Sequence, residues 1–351
     1  MWELTADDVG SLARGAALMG SGGGGSTRAA ASLLRHQLER GGPVRVVSPA
    51  ELPADAHAVP VGLVGSVTVF EEKPAGGREF ARAVAALERH TGVACTAVVG
   101  FEAAGVNALL AAMAAATLRL PLVDADGMGR AFPELEQTTF YLHGSPIVPV
   151  VVADEKGAVL VIDGVDGLVA ERLTRAAVVT LGGWGLIALA PQRAGALAET
   201  AIRRSISRAL DIGRRLDAGD RAGMLAEYGG RTLLRARIVE VERSAGRRFG
   251  MGSAVLESLD GDGRTARLEF QNENLLLLED GEVRAAVPDL ICLLARERGR
   301  SLTTEEIRFG LEVDVLTLPG APQWRTRRGL GLVGPRAFSY DVDYAVPGTV
   351  R

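Results

Sequence analysis

Short apolar runs alternate with helix-length amphipathic segments through the first half of the chain. The runs that predict buried strands are Val44–Pro49, Ala58–Val64, Ala94–Val99 and Leu120–Val123. The segments around them, from the capping pattern Thr5–Asp8 onward, predict helices. This order of strand, loop and helix predicts an α/β domain with a mostly parallel sheet and helices on both faces.

The pattern becomes strand-like from Arg231 onward. Strand-length runs separated by turn residues occur at Leu233–Glu242, Thr265–Asn272, Leu275–Leu278 and Val313–Leu318. Three further local predictions are a hairpin over 138–154, one long helix over 195–218 and a strand over 332–339. We therefore predict an α/β domain over residues 1–165 and a β-rich domain over residues 166–351.

Composition supports this division and excludes some classes of function. A chain of 351 residues is long for one core, and 47% hydrophobic with 23% charged residues is typical of a globular protein. The net charge of −4 without a basic block argues against nucleic acid or an acidic membrane as partner. The two cysteines form no CxxC pair, and the first residues lack a signal-peptide pattern. We expect a cytoplasmic protein.

The most polar loop follows the last predicted strand of the first domain. Asp124–Glu134 contains two carboxylates close together, Asp124 and Asp126, and the guanidinium of Arg130. Ligands of open α/β sheets bind beyond the carboxyl ends of the strands, so this segment predicts an active-site loop. A glycine turn that merely closes a strand is the alternative, because Asp-Gly favours turns.

A glycine-rich segment and a second polar loop add to this prediction. Gly23 and Gly24 stand in a run of glycines before a helix, where free backbone N–H groups suit a carbonyl, carboxylate or phosphate oxygen. A flexible connector is the alternative. Glu102 and Asn107 follow the strand Ala94–Val99, so their loop is predicted at the same sheet edge.

Two further groups of polar residues are candidates for the site. Glu72 and Lys73 precede a predicted helix, where they either face the cleft or complement the helix dipole. Glu273 belongs to the polar run Gln271–Asn274 at the end of a predicted strand. Strand alternation would send Glu273 to one side with Gln271, and a solvated strand end is the alternative.

Three residues are candidate metal ligands. His143 stands at a predicted strand end just past the acidic loop, and Asp289 and Cys292 are three residues apart. In a helix Asp289 and Cys292 would share a face, which suits a metal, whereas in a strand they would point to opposite sides. Cys292 is otherwise an ordinary core cysteine. The sequence contains no HExxH, HxH, CxxC or Gly-x-Ser-x-Gly motif.

Several of these segments together resemble one known family. They are Gly20–Gly25, Glu72–Lys73, Gly105–Asn107, Asp124–Glu134, Gln271–Asn274, Pro288–Cys292 and Gly334–Phe338. Their order and spacing, over essentially the whole chain, resemble the family named for S-methyl thiohydantoin desulfurase. That family was formerly a domain of unknown function associated with hydantoinase/oxoprolinase genes.

The resemblance implies a fold and a reaction. It implies an N-terminal α/β domain and a swivelling β/β/α-type C-terminal domain. It also implies metal-dependent hydrolysis, with zinc as the expected metal, of a cyclic isothiourea. Water attacks the carbon that bears the S-methyl group, methanethiol leaves, and a hydantoin remains.

These implications and the candidate residues give one hypothesis for the mechanism. His143, Asp289 and Cys292 would hold the metal that activates water. Asp124 or Glu273 would act as general base, with Asp126 as a further catalytic carboxylate.

The substrate would be held by a second set of residues. These are Arg130, Asn107, Gly23 and Gly24, with Glu72 and Lys73 at the cleft. We expect a homo-oligomer that binds a small heterocycle. A hydrolase of another hydantoin or cyclic imide, and a non-catalytic partner of a hydantoinase/oxoprolinase enzyme, remain alternatives.

Overall fold

The protein folds as a helix-covered mixed sheet followed by an antiparallel sheet. The computed structural model describes residues 1–244, 250–297 and 299–345. The first sheet is parallel at its centre and carries helices, whereas the second is antiparallel throughout its described pairs. The predicted pairing of an α/β part with a β-rich part is therefore confirmed.

The first sheet has a parallel centre with antiparallel strands on either side. Its strands are β1 (Trp2–Leu4), β2 (Val44–Val47), β3 (His57–Gly65), β4 (Ala97–Gly100), β5 (Leu122–Asp126), β6 (Val150–Ala153), β7 (Val159–Ile162), β8 (Trp184–Ala188), β9 (Gln192–Arg193) and β10 (Ile202–Arg203). The order is β1-β2-β5-β4-β3-β8-β6-β7, with β9 beside β3 and β10 beside β5. Strands β2, β5, β4 and β3 are parallel, so their carboxyl ends open at one edge.

Helices cover this sheet, and one of them is buried along most of its length. The helices are α1 (Val9–Met19), α2 (Arg28–Gly41), α3 (Val67–Glu72), α4 (Glu79–Thr91), α5 (Gly105–Leu118), α6 (Thr139–Leu142), α7 (Gly167–Leu181), α8 (Ala194–Thr200), α9 (Ser205–Asp217), α10 (Arg221–Glu227) and α11 (Arg327–Val333). Residues 105–115 of α5 are buried, and their small alanine side chains let α5 pack closely against the sheet and against α1, α2 and α4.

Helices α1 and α9 cross at a contact between backbones. A Cβ on Gly15 would lie 1.7 Å from the carbonyl oxygen of Ala209, and a Cβ on Gly213 would lie 1.7 Å from that of Ser11. Glycine at both positions is therefore needed for this approach. Among the described residues, no helix combines the length and hydropathy required to span a membrane.

One face of the second sheet packs on its own core, and part of the opposite face contacts the first part. Its strands are β11 (Arg231–Ser244), β12 (Met251–Ser258), β13 (Thr265–Phe270), β14 (Asn274–Glu279), β15 (Glu282–Ala286), β16 (Leu290–Ala295), β17 (Arg300–Ser301) and β18 (Glu312–Leu318). The opposite face contacts the first part along β16 and β18 and is exposed along β11 and β13. Strand β16 is buried on both faces. Ile291 and Leu293 join the core of the second sheet, whereas Leu290 and Cys292 join the core shared with α1 and α5.

Three local predictions are wrong. Residues 139–142 form α6 instead of a strand, because Thr138 caps a helical turn by accepting a hydrogen bond from the Tyr141 N–H at 3.3 Å. The predicted helix 195–218 is split into α8 and α9 by β10, which pairs with β5. Residues 327–333 form α11 and 335–338 a 3₁₀ turn, where a strand was predicted over 332–339.

The predicted boundary near residue 165 falls just before α7. Strands β8, β9 and β10, which come after it in sequence, pair with β3, β6 and β5 of the first sheet. The hydrogen bonds of the first sheet thus continue to Arg203, well past residue 165. The domain boundary near residue 165 remains a prediction.

Candidate functional site

A cavity of about 250 Å³ lies where the first part meets the second. Its walls are the glycine-rich loop at residues 23–25, the carboxyl end of β3 with the start of α3, the loop after β4, the first turns of α5, residues 132–135, Arg175, the turn between β13 and β14, and Glu305. This is the edge at which ligands bind in open α/β sheets. Both parts of the chain contribute charged side chains to it.

The glycine-rich loop is packed in place between the two parts. The carbonyl oxygen of Gly24 accepts a hydrogen bond of 2.8 Å from the Val106 N–H at the start of α5. A Cβ on Gly23 would lie 2.6 Å from Oε1 of Glu273, so glycine leaves the space that this carboxyl group occupies. The loop is therefore a wall of the cavity rather than a free connector.

Ser21 fixes the beginning of this loop to the second sheet. Its hydroxyl accepts a hydrogen bond from the Ile291 N–H at 2.8 Å and donates to the Ile291 carbonyl at 3.0 Å. Its own carbonyl accepts from the Asn274 N–H at 2.8 Å. The backbone of Ser21 has a φ of 51°, which a non-glycine residue rarely adopts. These bonds hold the loop against the turn that carries Glu273.

Asn107 and Glu102 form a buried pair on the other wall. The Asn107 amide donates to Oε1 of Glu102 at 3.1 Å and accepts from the Leu63 N–H at 2.7 Å. Asn107 thus connects α5 to the end of β3. Burial raises the pKa of Glu102 well above its usual range, and the negative charge of Glu273 adds to the effect. Burial therefore favours the protonated form of Glu102 over the carboxylate.

Glu273 reaches the cavity from the second part. It is buried, and its Oε2 has no hydrogen-bond partner within the described residues. Burial raises the pKa of Glu273 to about 7, against the opposing attraction of Arg130. A carboxyl group that titrates near neutral pH is suited to general-base catalysis.

Burial raises the pKa of both carboxyl groups, but to different extents. It raises the pKa of Glu273 to about 7 and that of Glu102 well above its usual range. Pairs of titratable groups whose environments separate their pKa values are the arrangement that acid–base enzymes use. The cavity can therefore donate a proton from one wall and accept one at the other.

The two aspartates of the predicted active-site loop lie elsewhere, whereas its last residue, Glu134, lines the cavity. Asp126 is buried, and its carboxylate accepts hydrogen bonds from the N–H groups of Ala103, Met128 and Gly129 at 2.7–3.1 Å and from the Ser205 hydroxyl. It fixes the loops after β4 and β5 to the start of α9. Its carboxylate is occupied by these contacts, and Asp126 does not line the cavity.

Asp124 also binds the start of α9. Its carboxylate accepts hydrogen bonds from the N–H of Ser207, at 2.9 Å, and from the Ser207 hydroxyl. Asp124 and Asp126 both belong to β5, which continues to Asp126, whereas the predicted apolar run ended at Val123. Asp124 does not line the cavity either.

Arg130 joins the two parts from within the core. Its guanidinium donates to the carbonyl oxygens of Asp289, at 2.6 Å, and Asn274, at 3.1 Å, and it lies over the ring of Phe132. Burial lowers the pKa of Arg130 to about 10, so it remains charged at neutral pH. Arg130 acts behind the cavity wall: it holds the backbone next to Glu273 and attracts its carboxylate.

The three predicted metal ligands are not brought together. His143 is exposed at the end of α6. The carboxylate of Asp289 accepts hydrogen bonds from Gly320 at 2.7 Å, Arg325 at 3.1 Å and Tyr344 at 3.0 Å.

Cys292 lies in strand β16, which begins at Leu290, directly after Asp289, so the segment does not form the helix that would place both side chains on one face. Its thiol donates to the Leu18 carbonyl at 3.2 Å, and burial raises the pKa of this thiol to about 12. A zinc ligand has to be the thiolate. No group of three or more His, Cys, Asp or Glu side chains in the described residues is arranged to hold a metal ion. The predicted donor set therefore does not fit zinc.

Glu72 and Lys73 also lie outside the cavity. Both are exposed where α3 ends, and the Lys73 ammonium approaches the Glu155 carboxylate at 3.5 Å. Of the predicted residues, the cavity brings together Gly23, Gly24, Asn107 and Glu273.

Sequence reasoning did not select Glu102 as a catalytic candidate. Its signal was present, because Glu102 and Asn107 were expected in one polar loop after a central strand. The two side chains then meet because α5 begins within that interval. Arg175 and Glu305 gave no such signal, since they reach the cavity from distant elements.

Comparisons with known proteins agree with the two-part architecture. A family model described as "S-Me-THD-like, N-terminal domain" matches residues 7–164, and one described as "S-Me-THD-like, C-terminal domain" matches residues 165–346. The crystal structure of a protein from Chromobacterium violaceum is similar to this chain, with 26% sequence identity and a TM-score of 0.82. The similarity covers 98% of this chain and 99% of that one. A comparison with curated proteins finds no match.

Proposed function

This chain belongs to the S-Me-THD-like family, and from that premise we propose that it hydrolyses an S-methyl thiohydantoin to a hydantoin and methanethiol. The observation that carries the proposal is the pair of Glu102 and Glu273 on facing walls of one cavity. The volume of about 250 Å³ lies just below the range of about 300–1,000 Å³ for drug-sized ligands, which suits a small heterocycle.

The first chemical step adds water to the ring. The Glu273 carboxylate takes a proton from a water molecule, and the water oxygen bonds to the carbon that bears the S-methyl group. The electron pair of the C=N bond moves to the ring nitrogen, which takes the proton of Glu102. The result is a neutral tetrahedral intermediate, with Glu273 protonated and Glu102 ionised.

The second step expels the thiol and restores both carboxyl groups. The C–S bond breaks, and the sulfur takes the electron pair and the proton held by Glu273. The hydroxyl on the same carbon gives its proton to Glu102 and becomes the hydantoin carbonyl. Glu102 and Glu273 return to their starting protonation states, so no further reactant is consumed.

The glycine-rich loop supplies donors for the ring carbonyl. Gly24 and Gly25 line the cavity, and their backbone N–H groups have no acceptor in the part of the chain that the structure describes. Donors fixed before the reaction stabilise developing negative charge without reorganisation. Asn107 orients Glu102 through its amide. No step is assigned to zinc, because the predicted ligand set does not assemble.

The test is turnover of an S-methyl thiohydantoin by the full chain, with methanethiol measured by a thiol reagent. We expect a bell-shaped dependence of kcat/KM on pH, because Glu273 must be ionised and Glu102 protonated. The acid limb is expected near pH 7. Glu273→Gln should lower kcat by about a hundredfold or more, the usual size of a general-base contribution.

Two variants and a substrate panel complete the test. Glu102→Gln should lower kcat and remove the alkaline limb of the pH profile. Glu257→Gln, an exposed glutamate on β12, is the matched control and should retain activity. Turnover of plain hydantoins or cyclic imides without release of methanethiol would favour a different hydrolase, and a profile unaffected by both cavity variants would refute the assignment of Glu102 and Glu273.

A further inference from the structure

A second polar cavity lies on the first part, away from Glu102 and Glu273. It has a volume of about 690 Å³ and is bounded by β1, the turn after β10, one face of α9 and the end of α10. Guanidinium groups dominate its lining. Arg203, Arg204 and Arg208 come from one short segment of the chain, and Arg214 and Arg215 follow on α9.

Two of the lining side chains have buried donors that no protein group satisfies. Within the described residues, Nε of Arg208 and Nε1 of Trp2 have no hydrogen-bond partner. The Arg208 guanidinium stacks over the Tyr228 ring at 5.1 Å and forms no ion pair in that part of the chain. A buried donor without an acceptor costs free energy, and a buried cation without a counter-ion costs more.

The remaining charges of the cavity divide into paired and unpaired groups. Arg214 pairs with Asp8, and Arg215 pairs with Asp211 and Asp220. The Tyr228 hydroxyl also donates to Asp211 at 2.8 Å, so that carboxylate is occupied.

Arg203 and Arg204 are exposed and have no side-chain ion pair within the described residues. Arg204 stands at a φ of 63°, which is uncommon for a non-glycine residue, and its N–H donates to the Asp124 carbonyl at 2.7 Å. Glu3 and Glu227 also line the cavity and are the negative charges that a ligand would have to avoid.

We propose that this second cavity binds the phosphate group of a phosphorylated small molecule through Arg203, Arg204 and Arg208, with the Trp2 indole N–H as a further donor. Planar guanidinium groups match phosphate oxygens in pairs. A phosphate offers more acceptor oxygens than a single carboxylate, which fits donors from four side chains. The volume of the cavity leaves room for an organic group beyond the phosphate.

The carboxyl end of β5 holds the arginine segment of this site in place. Asp124 binds Ser207 through its carboxylate and Arg204 through its carbonyl, and Asp126 binds Ser205. These contacts fix the position of the start of α9. They therefore fix the direction from which Arg203, Arg204 and Arg208 enter the cavity. The proposal does not depend on the hydrolysis at Glu102 and Glu273.

The test is isothermal titration calorimetry of the full chain with two probes, inorganic phosphate and glycerol phosphate. Chloride at matched ionic strength separates a site from general screening. We expect saturable binding of one probe molecule per chain, tighter for glycerol phosphate than for inorganic phosphate. Tighter binding of inorganic phosphate would overturn the assignment of an organic phosphate and leave the free ion as the ligand.

Arginine variants locate the binding. Arg208→Gln and Arg203→Gln should each weaken binding by about tenfold or more, since each removes charge-assisted hydrogen bonds. Arg89→Gln is the matched control, an exposed arginine on α4 outside this cavity, and should change affinity less than about twofold. If Arg208→Gln does not fold, the affinity of Arg203→Gln still tests the site, because Arg203 is exposed. Absence of saturable binding of both probes, or an equal loss in Arg89→Gln, would overturn the proposal.

Discussion

Glu273→Gln is expected to make the protein more stable at alkaline pH while it removes activity. Glu273 is buried, and its pKa rises from 4.5 to about 7 on folding. This difference corresponds to about 3 kcal/mol of unfolding free energy. The cost arises because an ionised carboxylate is desolvated in the cavity, and glutamine keeps nearly the same volume without that charge.

The sign and the pH window follow from proton binding. Between pH 4.5 and about 7 the folded protein holds a proton on Glu273 that the unfolded chain has released. The contribution of protonated Glu273 to the unfolding free energy is complete below pH 4.5. It is lost as the pH rises through about 7. Wild type and Glu273→Gln should therefore have similar stability near pH 4.5, and the variant should be more stable by up to about 3 kcal/mol above pH 8.

Urea denaturation followed by circular dichroism at pH 4.5, 6, 7 and 8.5 measures this difference. Glu257→Gln on β12 is the control and should give a small difference that does not change with pH, because the side chain is exposed. A variant that is less stable than wild type at pH 8.5, or a difference that stays constant across the series, would refute the burial argument. Such a result would also remove the basis for Glu273 as a base.

Three other substitutions test separate features. Gly23→Ala should lower kcat/KM by about a hundredfold, because its Cβ would displace the Glu273 carboxyl group. Gly41→Ala is the control: no atom lies within 4 Å of the added Cβ, so kcat/KM should not change in the same assay. Asp126→Ala should lower the unfolding free energy by about 3 kcal/mol or more, measured by urea denaturation, because buried donors lose their acceptor; a change below about 1 kcal/mol would contradict this role. His143→Ala should leave metal content by mass spectrometry and kcat/KM unchanged, and loss of zinc with loss of activity would restore His143 as a ligand.

The hydrophobic pattern predicted much of the fold because it reports burial directly. Strands β2 to β5, β11, β13, β14 and β18 lie close to the predicted apolar runs. The split between α8 and α9 could not be predicted in this way, since residues 195–218 have helical periodicity and no proline. What interrupts them is pairing of β10 with β5, a contact between segments far apart in sequence.

The candidate site shows the same limit. Asn107 was predicted because loops after parallel strands converge at one sheet edge. Gly23 and Gly24 were predicted because a glycine run before a helix leaves N–H groups free, and Glu273 because it lies in a polar run at a strand end. Asp124 and Asp126 have the same local signal, but Ser205 and Ser207 occupy their carboxylates, and no pattern within the acidic loop indicates that α9 returns there. Local sequence identifies a polar strand end and does not tell whether its side chains face solvent, substrate or another helix.

The position of β8 has a consequence for how the protein is made. Strand β8 lies between β3 and β6, although residues 66–183 separate it from β3 in the chain. While the ribosome is still synthesising that interval, the apolar strand His57–Gly65 has one unpaired edge. Nascent chains with such an edge are prone to aggregate. We therefore expect translation pauses or truncation before Trp184 to yield chaperone-bound or insoluble fragments, and release of residues 184–188 from the ribosome to mark the point at which the first sheet can close.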